Sequence, residues 1–407
     1  MKAFDILIIG GGIAGIRVAA LLRKKLASLS IGIIEPSGNH FYQPAFTLVG
    51  LGLADRSTAQ KSMAEVVPKG CNWIRDAVTE IDPQHCMVSL SSGERIAYRA
   101  LIIAAGLALD VESTPGLAES LSDRQNPVCS LYDSNTHDKC RTLLQNFAGG
   151  TMLFTLPSTP VKCPSTALKS VFLIDDLLRQ SGMREVCKLV YITPFSFLSN
   201  IESAHFVAAT NAHKKGIEII LEHELNQLDT RNYVAIFAAT PQQTGAAHLK
   251  NLKYDFALIT PRMKAPSFLI HSGLIQSSGA MSGWLNVDPQ TLQHPQFANI
   301  FGLGDCAALP TLKTASAGLA QAEIVAANLA SLFKKGVQVQ LPATYDGYSA
   351  CPLFTEFGKA IPGAVTYQGV ATGSFWQNPN QPSRREWFVH RYLIPTLYWN
   401  FTIKGIV

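Results

Sequence analysis

The 407-residue sequence lacks several features that mark common protein classes. Its eight cysteines include no CxxC pair and no metal-ligand spacing, so we expect neither a metal nor a structural disulfide framework. No apolar run is long enough to span a bilayer. A strand predicted from Phe4 onward leaves no room for a signal peptide, so the default compartment is cytosolic. The net charge of +5 suits an anionic substrate or surface, and nothing predicts nucleic-acid binding.

What the sequence does carry is a dinucleotide-binding motif at its N-terminus. The apolar run Phe4–Ile9 precedes Gly10-x-Gly12-x-x-Gly15 and an Ala/Leu-rich helix. In this motif the first glycine makes a tight turn, the second admits a pyrophosphate and the third allows close helix packing. The next strand, IGIIE, ends in Glu35, an acid suited to ribose hydroxyls. The motif alone does not separate FAD from NAD.

Two later segments favour FAD. Residues 298–329 contain a strand ending in Asp305 and an Ala-rich helix from about Thr314, which together resemble the second FAD fingerprint of glutathione-reductase-type flavoproteins. That resemblance implies that Asp305 holds the ribityl chain. It also implies that the helix N-terminus faces the flavin ring, where its positive end stabilises an anion. Residues 98–110 resemble the strand that closes the FAD domain in the same group.

A second α/β stretch, residues 111–270, lies between these segments but has no visible nucleotide loop. Its first strand, turn and helix, residues 151–169, read TMLFTLPSTPVKCPSTALK, with three prolines where a glycine-rich loop would stand. Prolines remove N–H donors that would bind phosphate. The second strand, residues 188–193, ends without an acid. We therefore predict that the scaffold persists and that NAD(P)H is not the electron donor.

Two Cys-Pro steps, Cys163-Pro164 and Cys351-Pro352, are the candidate redox groups. We place Cys163 at or next to the N-cap of a helix that starts at Pro164. There the helix N-terminus lowers the pKa of the thiol and Lys162 adds positive charge. Cys351 is expected before a second, short helical turn. Two helix-start cysteines suggest a redox pair near the flavin, and the alternative of two small buried hydrophobic residues stays open at this point.

Nearly the whole chain resembles the sulfide:quinone oxidoreductase family, most closely its mitochondrial-like (type II) branch. The motifs that carry the resemblance are HFYQPAFTLVG (40–50), TLPSTPVKCPSTALK (155–169), NVDPQTLQHPQFANIFGLGDCAALPTLKTASA (286–317), YDGYSACP (345–352) and IPTLYWNFTIKG (394–405). The resemblance implies an α/β fold with two Rossmann-like domains of the glutathione-reductase type and a C-terminal membrane-associated segment.

We predict three regions on this basis. A discontinuous FAD-binding domain comprises residues 1–110 and 271–340. A second Rossmann-like domain without the NAD loop comprises residues 111–270. A C-terminal region for quinone and membrane contact comprises residues 341–407.

The resemblance also implies roles for individual residues. Cys163 and Cys351 would form the redox-active bridge, with Cys351 nearer the flavin. The residues expected to bind FAD are Gly10, Gly12, Gly15, Glu35, Gln43, Val78, Ala105, Gly106, Asp305, Lys313 and Thr314. Phe354 and Phe357 are candidates for a quinone channel, and Cys129 is a candidate for the third cysteine that other branches carry. The chain departs from the family after Cys163, where Pro-Ser-Thr-Ala-Leu replaces small residues and Pro-Gln, a change that can reshape the sulfur pocket.

The implied reaction oxidises hydrosulfide through the cysteine pair and FAD. Attack on the bridge leaves a persulfide on one cysteine and a thiolate on the other. Electrons then pass to ubiquinone or menaquinone, and the sulfane sulfur passes to a thiol, sulfite or a second sulfide.

Because such quinones lie in the bilayer, the enzyme needs membrane contact without a span. Residues 384–407 suit this role, with four basic residues against one acidic residue and six aromatic residues. Pro395 is expected to divide them into two short interfacial helices at the cytoplasmic face of the inner (plasma) membrane. The alternative is a C-terminal helix packed on the protein's own core.

Three other functions stay open at this level. A type II NADH:quinone oxidoreductase of the same fold would need the phosphate loop that is missing at residues 151–165. A soluble sulfide dehydrogenase usually follows a secretion signal. A non-catalytic FAD-binding protein would not need both Cys163 and Cys351. The sequence leaves a homo-oligomer open.

Overall fold

The computed structural model describes residues 2–240, 249–336, 340–370, 378 and 380–406. The predicted regions also include residues 1, 241–248, 337–339, 371–377, 379 and 407, which lie outside the described residues. The first elements in chain order are β1 (Lys2–Ile9), α1 (Ile13–Lys25), β2 (Ile31–Ile34), β3 (Asn39–Phe41), α2 (Phe46–Gly50), β4 (Gln60–Ser62), α3 (Met63–Val66), β5 (Cys71–Ile74), β6 (Val78–Asp82), β7 (Met87–Leu90), β8 (Arg95–Ile103) and β9 (Ala108–Asp110).

The middle of the chain alternates helices and strands up to residue 220, as in a doubly wound fold, and strands alone follow to residue 264. Its elements are α4 (Leu117–Ser122), β10 (Val128–Cys129), α5 (His137–Gln145), β11 (Gly150–Thr155), α6 (Thr166–Gln180), β12 (Cys187–Ile192), α7 (Glu202–Lys215), β13 (Glu218–Ile220), β14 (His223–Asp229), β15 (Val234–Ala239), β16 (Leu249–Lys253), β17 (Phe256–Leu258) and β18 (Arg262–Lys264).

The last part of the chain returns to the first domain, and its later elements contact both domains. Its elements are β19 (Ile300–Gly302), α8 (Ala315–Lys335), β20 (Ser349–Ala350), β21 (Leu353–Glu356), β22 (Lys359–Ile361), β23 (Ala364–Thr366), β24 (Gly369–Val370), α9 (Arg384–Phe388) and α10 (Ile394–Asn400).

The first sheet has the strand order β5-β2-β1-β8-β7-β6, and β19 pairs with β8. Strands β5, β2, β1, β8 and β19 run parallel, while β7 and β6 extend the sheet in antiparallel fashion. The buried run from Ile6 to Ile9 has no polar alternation, as expected for a parallel strand covered on both faces. Helices α1 and α8 pack against each other beside this sheet.

The second sheet has the order β10-β17-β11-β12-β13 and is parallel throughout. A small antiparallel sheet, β14-β15-β16, accompanies it. The buried residues of this domain and those of the first sheet form separate hydrophobic clusters. The two sheets agree with the predicted α/β fold, while the domain boundaries stay predictions.

The surroundings of the two Cys-Pro steps differ from what the sequence predicts. Helix α6 begins at Thr166 with Ser165 at its N-cap, so Pro164 is not the first helical residue. Cys163 precedes the helix in the left-handed region, with φ +47°; proline disfavours the right-handed helical region for the residue before it. Cys351 does not start a helix at all, because it lies between β20 and β21. Strand β21 instead forms a hairpin with β22.

The C-terminal segment also differs from its prediction. Helix α9, a π-helical turn at Val389–Leu393 and α10 follow one another with right-handed helical junctions, so Pro395 does not divide the segment. Pro395 follows this π turn in the first turn of α10, a position where the missing N–H of proline is tolerated. In the described part of the chain, no helix is both long enough and apolar enough to cross a membrane.

Candidate active site

The dinucleotide loop joins β1 to α1 and requires its glycines for different reasons. Gly10 has φ +103°, a conformation that favours glycine, and a Cβ on Gly15 would come 1.9 Å from the Gly10 carbonyl oxygen. A Cβ on Gly12 would meet nothing within 4 Å, so this position faces open space. The Gly11 N–H donates to Glu35 Oε2 at 2.8 Å, which fixes the acid beside the loop.

A cavity of about 230 Å³ opens in front of this loop. The predicted FAD residues that line it are Gly10, Gly12, Glu35, Gln43, Ala105, Gly106 and Asp305. Open backbone at a helix N-terminus suits a pyrophosphate, and an oriented carboxylate suits ribose hydroxyls. The residues present therefore fit FAD.

The remaining predicted FAD residues lie outside the cavity wall. Gly15 supports the loop from behind, and Thr314 caps α8 by accepting from the Ala317 N–H at 3.3 Å. Lys313 Nζ donates to the carbonyl oxygens of Asp305 at 2.6 Å and Ala307 at 3.1 Å. Val78 begins β6 and is not among the residues that line the cavity.

Asp305 has two cationic neighbours, Lys162 and Lys313. Burial raises the pKa of the Asp305 carboxyl, lowers the pKa of Lys162 and lowers the pKa of Lys313 to about 8. Lys162 lines the cavity with Asp305. The sequence predicts that Lys162 adds positive charge beside Cys163. This needs correction, because the charge that acts most on Lys162 is that of the Asp305 carboxylate.

The fold brings Cys163 and Cys351 together although 188 positions separate them. Their Sγ atoms are 2.9 Å apart. The Cys163 N–H donates to the Lys313 carbonyl at 2.8 Å, and the Ala350 N–H donates to Ser316 Oγ at 2.7 Å. Both cysteines are thus held against the start of α8, the helix whose N-terminus is expected to face the flavin.

Lys169 is the functional residue that sequence reasoning missed. It lies in the first turns of α6, only 4% exposed, and its Nζ donates to Cys163 Sγ at 3.1 Å. Its ammonium also lies 5.6 Å from the centre of the Phe354 ring. A lysine within the buried stretch ALKSVFLI is an anomaly that could have flagged it, because buried lysines are nearly always paired.

The two thiols are electrostatically unequal. The hydrogen bond from Cys351 lowers the pKa of Cys163 and outweighs burial, with further help from the Lys169 charge. The same hydrogen bond, together with burial, raises the pKa of Cys351. The pair therefore carries its first negative charge on Cys163, next to the buried ammonium.

Charged and polar side chains meet at the turn after β11, where a second phosphate loop would stand. Ser158 Oγ donates to Glu224 Oε2 at 2.7 Å, and Arg262 Nε donates to Glu224 Oε1 at 2.9 Å. A pocket beside these groups, beyond the end of β11, has a volume of about 10 Å³. That is room for about one water molecule rather than for a nicotinamide dinucleotide.

The two quinone candidates lie on either side of Trp387 in α9. The buried Phe354 ring is 4.9 Å from the Trp387 ring, and the Phe357 ring, on a half-exposed residue, is 5.2 Å from it. Because Phe354 also lies under Lys169, a continuous row of packed side chains links the thiols to the C-terminal helix.

The other cysteines have no comparable surroundings. Cys129, the candidate third cysteine, is fully buried. Burial is the main cause of its raised pKa, and a hydrogen bond with Cys140 raises that pKa further. Burial raises the pKa of Cys71 and of Cys306 to about 11. Within the described ranges, no group of three or more His, Cys, Asp or Glu side chains is placed to hold a metal ion.

Two Rossmann-like sheets and a cavity whose residues fit FAD are the features of a flavin-dependent oxidoreductase. In agreement, the family model for pyridine nucleotide-disulphide oxidoreductases matches residues 4–142. The mitochondrial sulfide:quinone oxidoreductase of Mus musculus is 32% identical over 402 residues, with 99% of this chain and 87% of that protein covered. The corresponding protein of Dictyostelium discoideum is 34% identical, with 98% and 86% covered.

Solved structures agree with the fold. The X-ray structure of the sulfide:quinone oxidoreductase from Aquifex aeolicus superposes with a TM-score of 0.80 at 19% identity, covering 100% of this chain and 92% of that one. The chain belongs to the sulfide:quinone oxidoreductase family. This membership confirms the predictions of an FAD-dependent enzyme and of FAD as its cofactor.

Proposed function

We propose that this chain oxidises hydrosulfide at the Cys163–Cys351 pair and delivers the electrons, by way of FAD, to a membrane quinone. The observation that carries the proposal is the 2.9 Å contact between the two Sγ atoms beside the buried Lys169. Closing this contact to a disulfide requires a shift of only about 1 Å. Family membership supplies the substrate class, because the curated relatives are named for sulfide and quinone.

The charge distribution supports one direction of attack. Hydrosulfide adds to Cys351 Sγ of the disulfide, the S–S bond breaks, and Cys163 Sγ leaves with the electron pair. The leaving thiolate is the sulfur whose pKa is lowered and which Lys169 holds at 3.1 Å. A low pKa makes the better leaving group in thiol–disulfide exchange. The product is a persulfide on Cys351.

The outer sulfur of that persulfide then passes to a nucleophilic acceptor: a thiol, sulfite or a second sulfide. The bond between it and Cys351 Sγ breaks, and Sγ leaves as a thiolate. When bound, FAD supplies the two-electron acceptor that lets the cysteine pair return to a disulfide and that reduces quinone. Lys162 lines the cofactor cavity next to Cys163 in the chain, which favours Cys163 over the expected Cys351 as the flavin-side sulfur.

NADH is a poor candidate for the electron donor. The Ser158–Glu224–Arg262 contacts occupy the place of a second phosphate loop. This favours sulfide oxidation over the NADH:quinone alternative, and the polarised thiol pair favours an enzyme over a flavin-binding protein without activity.

We further propose that the C-terminal helix contacts the membrane surface. One face of it is exposed and largely apolar, comprising Phe388, Tyr392, Leu393, Leu397 and Phe401. The opposite face is packed, with Trp387, Tyr398 and Trp399 buried in the protein. Exposed aromatic residues flanked by arginines suit the interface of a bilayer. Phe357 would connect this face to the thiols, and the cytoplasmic face of the inner (plasma) membrane stays our prediction for the side contacted.

The membrane proposal is best tested with point variants, because removing the segment would also remove core residues. We expect full-length protein to float with liposomes of mixed zwitterionic and anionic lipid, and the double variant Phe388→Ser, Leu397→Ser to remain at the bottom of the gradient. Phe206→Ser is the matched control, since Phe206 is 61% exposed on α7. Equal flotation of all three proteins would contradict membrane contact through this face.

The catalytic proposal is tested by the flavin absorbance of the purified yellow protein without oxygen. We expect sulfide to bleach it and NADH to leave it unchanged, and added quinone to restore the colour. Bleaching by NADH alone would support the NADH:quinone alternative, and no bleaching by either reagent would support a non-catalytic protein.

A further inference from the structure

Ser165 lies at the N-cap of α6, where a serine usually accepts a hydrogen bond from the helix backbone. Here its side chain makes no capping bond. Its Oγ lies instead 2.8 Å from Cys351 Sγ and 3.5 Å from the Pro352 carbonyl oxygen. The stability of α6 therefore does not explain the hydroxyl, whereas its position against a reacting sulfur does.

The direction of this hydrogen bond follows from the neighbouring one. Cys351 has a single S–H proton, and the lowered pKa of Cys163 means that this proton is shared with the Cys163 thiolate. Cys351 Sγ is then left as an acceptor toward Ser165, whose O–H donates to this sulfur at 2.8 Å rather than to the Pro352 carbonyl oxygen at 3.5 Å. Each sulfur thus has its own donor: Lys169 for Cys163 and Ser165 for Cys351.

We infer that Ser165 is a positioning residue for sulfur release, which it assists by donating a hydrogen bond to Cys351 Sγ as that atom becomes a thiolate. The inference rests on the proposed function, in which the persulfide forms on Cys351. In the release step the acceptor forms a bond to the outer sulfur, the bond from that sulfur to Sγ breaks, and Sγ keeps the electron pair. No charged donor is available to Cys351 at hydrogen-bond distance among the described contacts, so the hydroxyl meets this charge.

Ser165 belongs to the five residues after Cys163 in which the sequence departs from the family pattern. The serine of this segment contacts Cys351, the sulfur-releasing residue of the proposed reaction, whereas Cys163 has its partner in Lys169, six residues later.

The test follows the persulfide itself. Protein is treated with sulfide without oxygen, desalted and chased with sulfite, and samples are alkylated and analysed by peptide mass spectrometry for persulfide on Cys351. We expect Ser165→Ala to slow the loss of this persulfide on the order of tenfold, since a hydrogen bond to a charged group is lost. Ser165→Thr keeps the hydroxyl and is expected to restore the rate. Thiosulfate formed in the chase gives an independent measure.

Ser170→Ala is the matched control, because Ser170 is buried one turn later on the same helix and its hydroxyl donates to the Thr166 carbonyl at 2.7 Å. A chase rate in Ser165→Ala equal to that of the control would overturn the inference and leave the proposed function intact. Equal slowing in the alanine and threonine variants would assign the effect to shape and also overturn it. Absence of any persulfide in the unaltered protein would instead count against the proposed function.

Discussion

Replacing Lys169 by methionine tests the electrostatic core of the site. Methionine keeps the length and apolar stem of the side chain but removes the ammonium that lies 3.1 Å from Cys163 Sγ. At an effective dielectric constant of about 20, two unit charges at that distance attract by roughly 5 kcal/mol, an upper limit, since burying the charges opposes it. Hydrogen bonds to charged groups contribute about 1.5–3 kcal/mol net. Taking roughly 3 kcal/mol, the thiolate of Cys163 should require a pH about 2 higher.

The assay is alkylation of the dithiol protein by iodoacetamide across a pH series, with the Cys163 peptide quantified by mass spectrometry. In the unaltered protein Cys163 should react at a pH well below that of an ordinary thiol, because the hydrogen bond from Cys351 and then the Lys169 charge lower its pKa. In Lys169→Met the midpoint should rise by about 2, and sulfide-driven bleaching at neutral pH should slow roughly tenfold, since exchange rates change by about half as much as the thiol pKa on a logarithmic scale.

Lys214→Met is the control, because Lys214 is exposed on α7 and changes the net charge equally. A midpoint in Lys169→Met within about 0.5 of the control would refute the assigned role.

The lowered pKa of Cys163 also predicts how the stability of the protein depends on pH. A folded-state pKa below the unfolded value contributes stability above pH ~8.5, and this contribution is lost as the pH falls through the lowered pKa of Cys163.

Two further predictions concern the cofactor domain. Gly12→Ala should keep its melting temperature without FAD but bind FAD more weakly, because its Cβ points into open space. Gly15→Ala should lower the melting temperature itself, since its Cβ would collide with the Gly10 carbonyl; equal melting of the two apoproteins would contradict this. Tyr398→Phe should cost about 1 kcal/mol of unfolding free energy and speed FAD release, measured by flavin fluorescence, because its O–H donates to His40 Nε2 at 2.5 Å. Unchanged release would refute that coupling.

The Tyr398 prediction depends on a relay between the C-terminal helix and the dinucleotide loop. His40 accepts from Tyr398 through Nε2 and donates to the Gly11 carbonyl through Nδ1 at 2.8 Å. Its pKa is lowered to about 4 by burial, so it stays neutral and the relay keeps its direction at physiological pH. The alternative of a helix packed on the protein's own core, left open by the sequence, therefore holds for one face of α10, and the exposed face remains available for the membrane.

Local patterns predicted those parts of the site that local geometry determines. The glycines of the first loop and Glu35 could be assigned because turn, helix and acid follow one another within a single βαβ unit. The absence of a second nucleotide site stays a prediction, which rests on prolines that remove backbone donors. The structure adds the contacts that Glu224 makes with Ser158, in the turn after β11, and with Arg262.

Features set by tertiary packing were predicted less well. Cys351 resembles Cys163 locally, yet it lies between strands, because the hairpin that turns at Gly358, with φ +87°, takes the following residues into β21 and β22. The role of Lys169 follows only from its contact with Cys163 Sγ, which the tertiary structure shows and the local sequence does not. A proline inside a helical pattern usually ends the helix. At Pro395 the helix instead continues from the preceding π turn, and one face of the segment stays buried on the protein core.

The most direct test of the central claim is sulfide-driven bleaching of Cys163→Ser and Cys351→Ser proteins in the absence of oxygen. Both variants should bind FAD, because neither side chain lines the cofactor cavity. The account predicts that bleaching by sulfide is abolished in both while chemical reduction by dithionite still bleaches the bound flavin. Bleaching of either variant by sulfide at the rate of the unaltered protein would contradict oxidation through the cysteine pair.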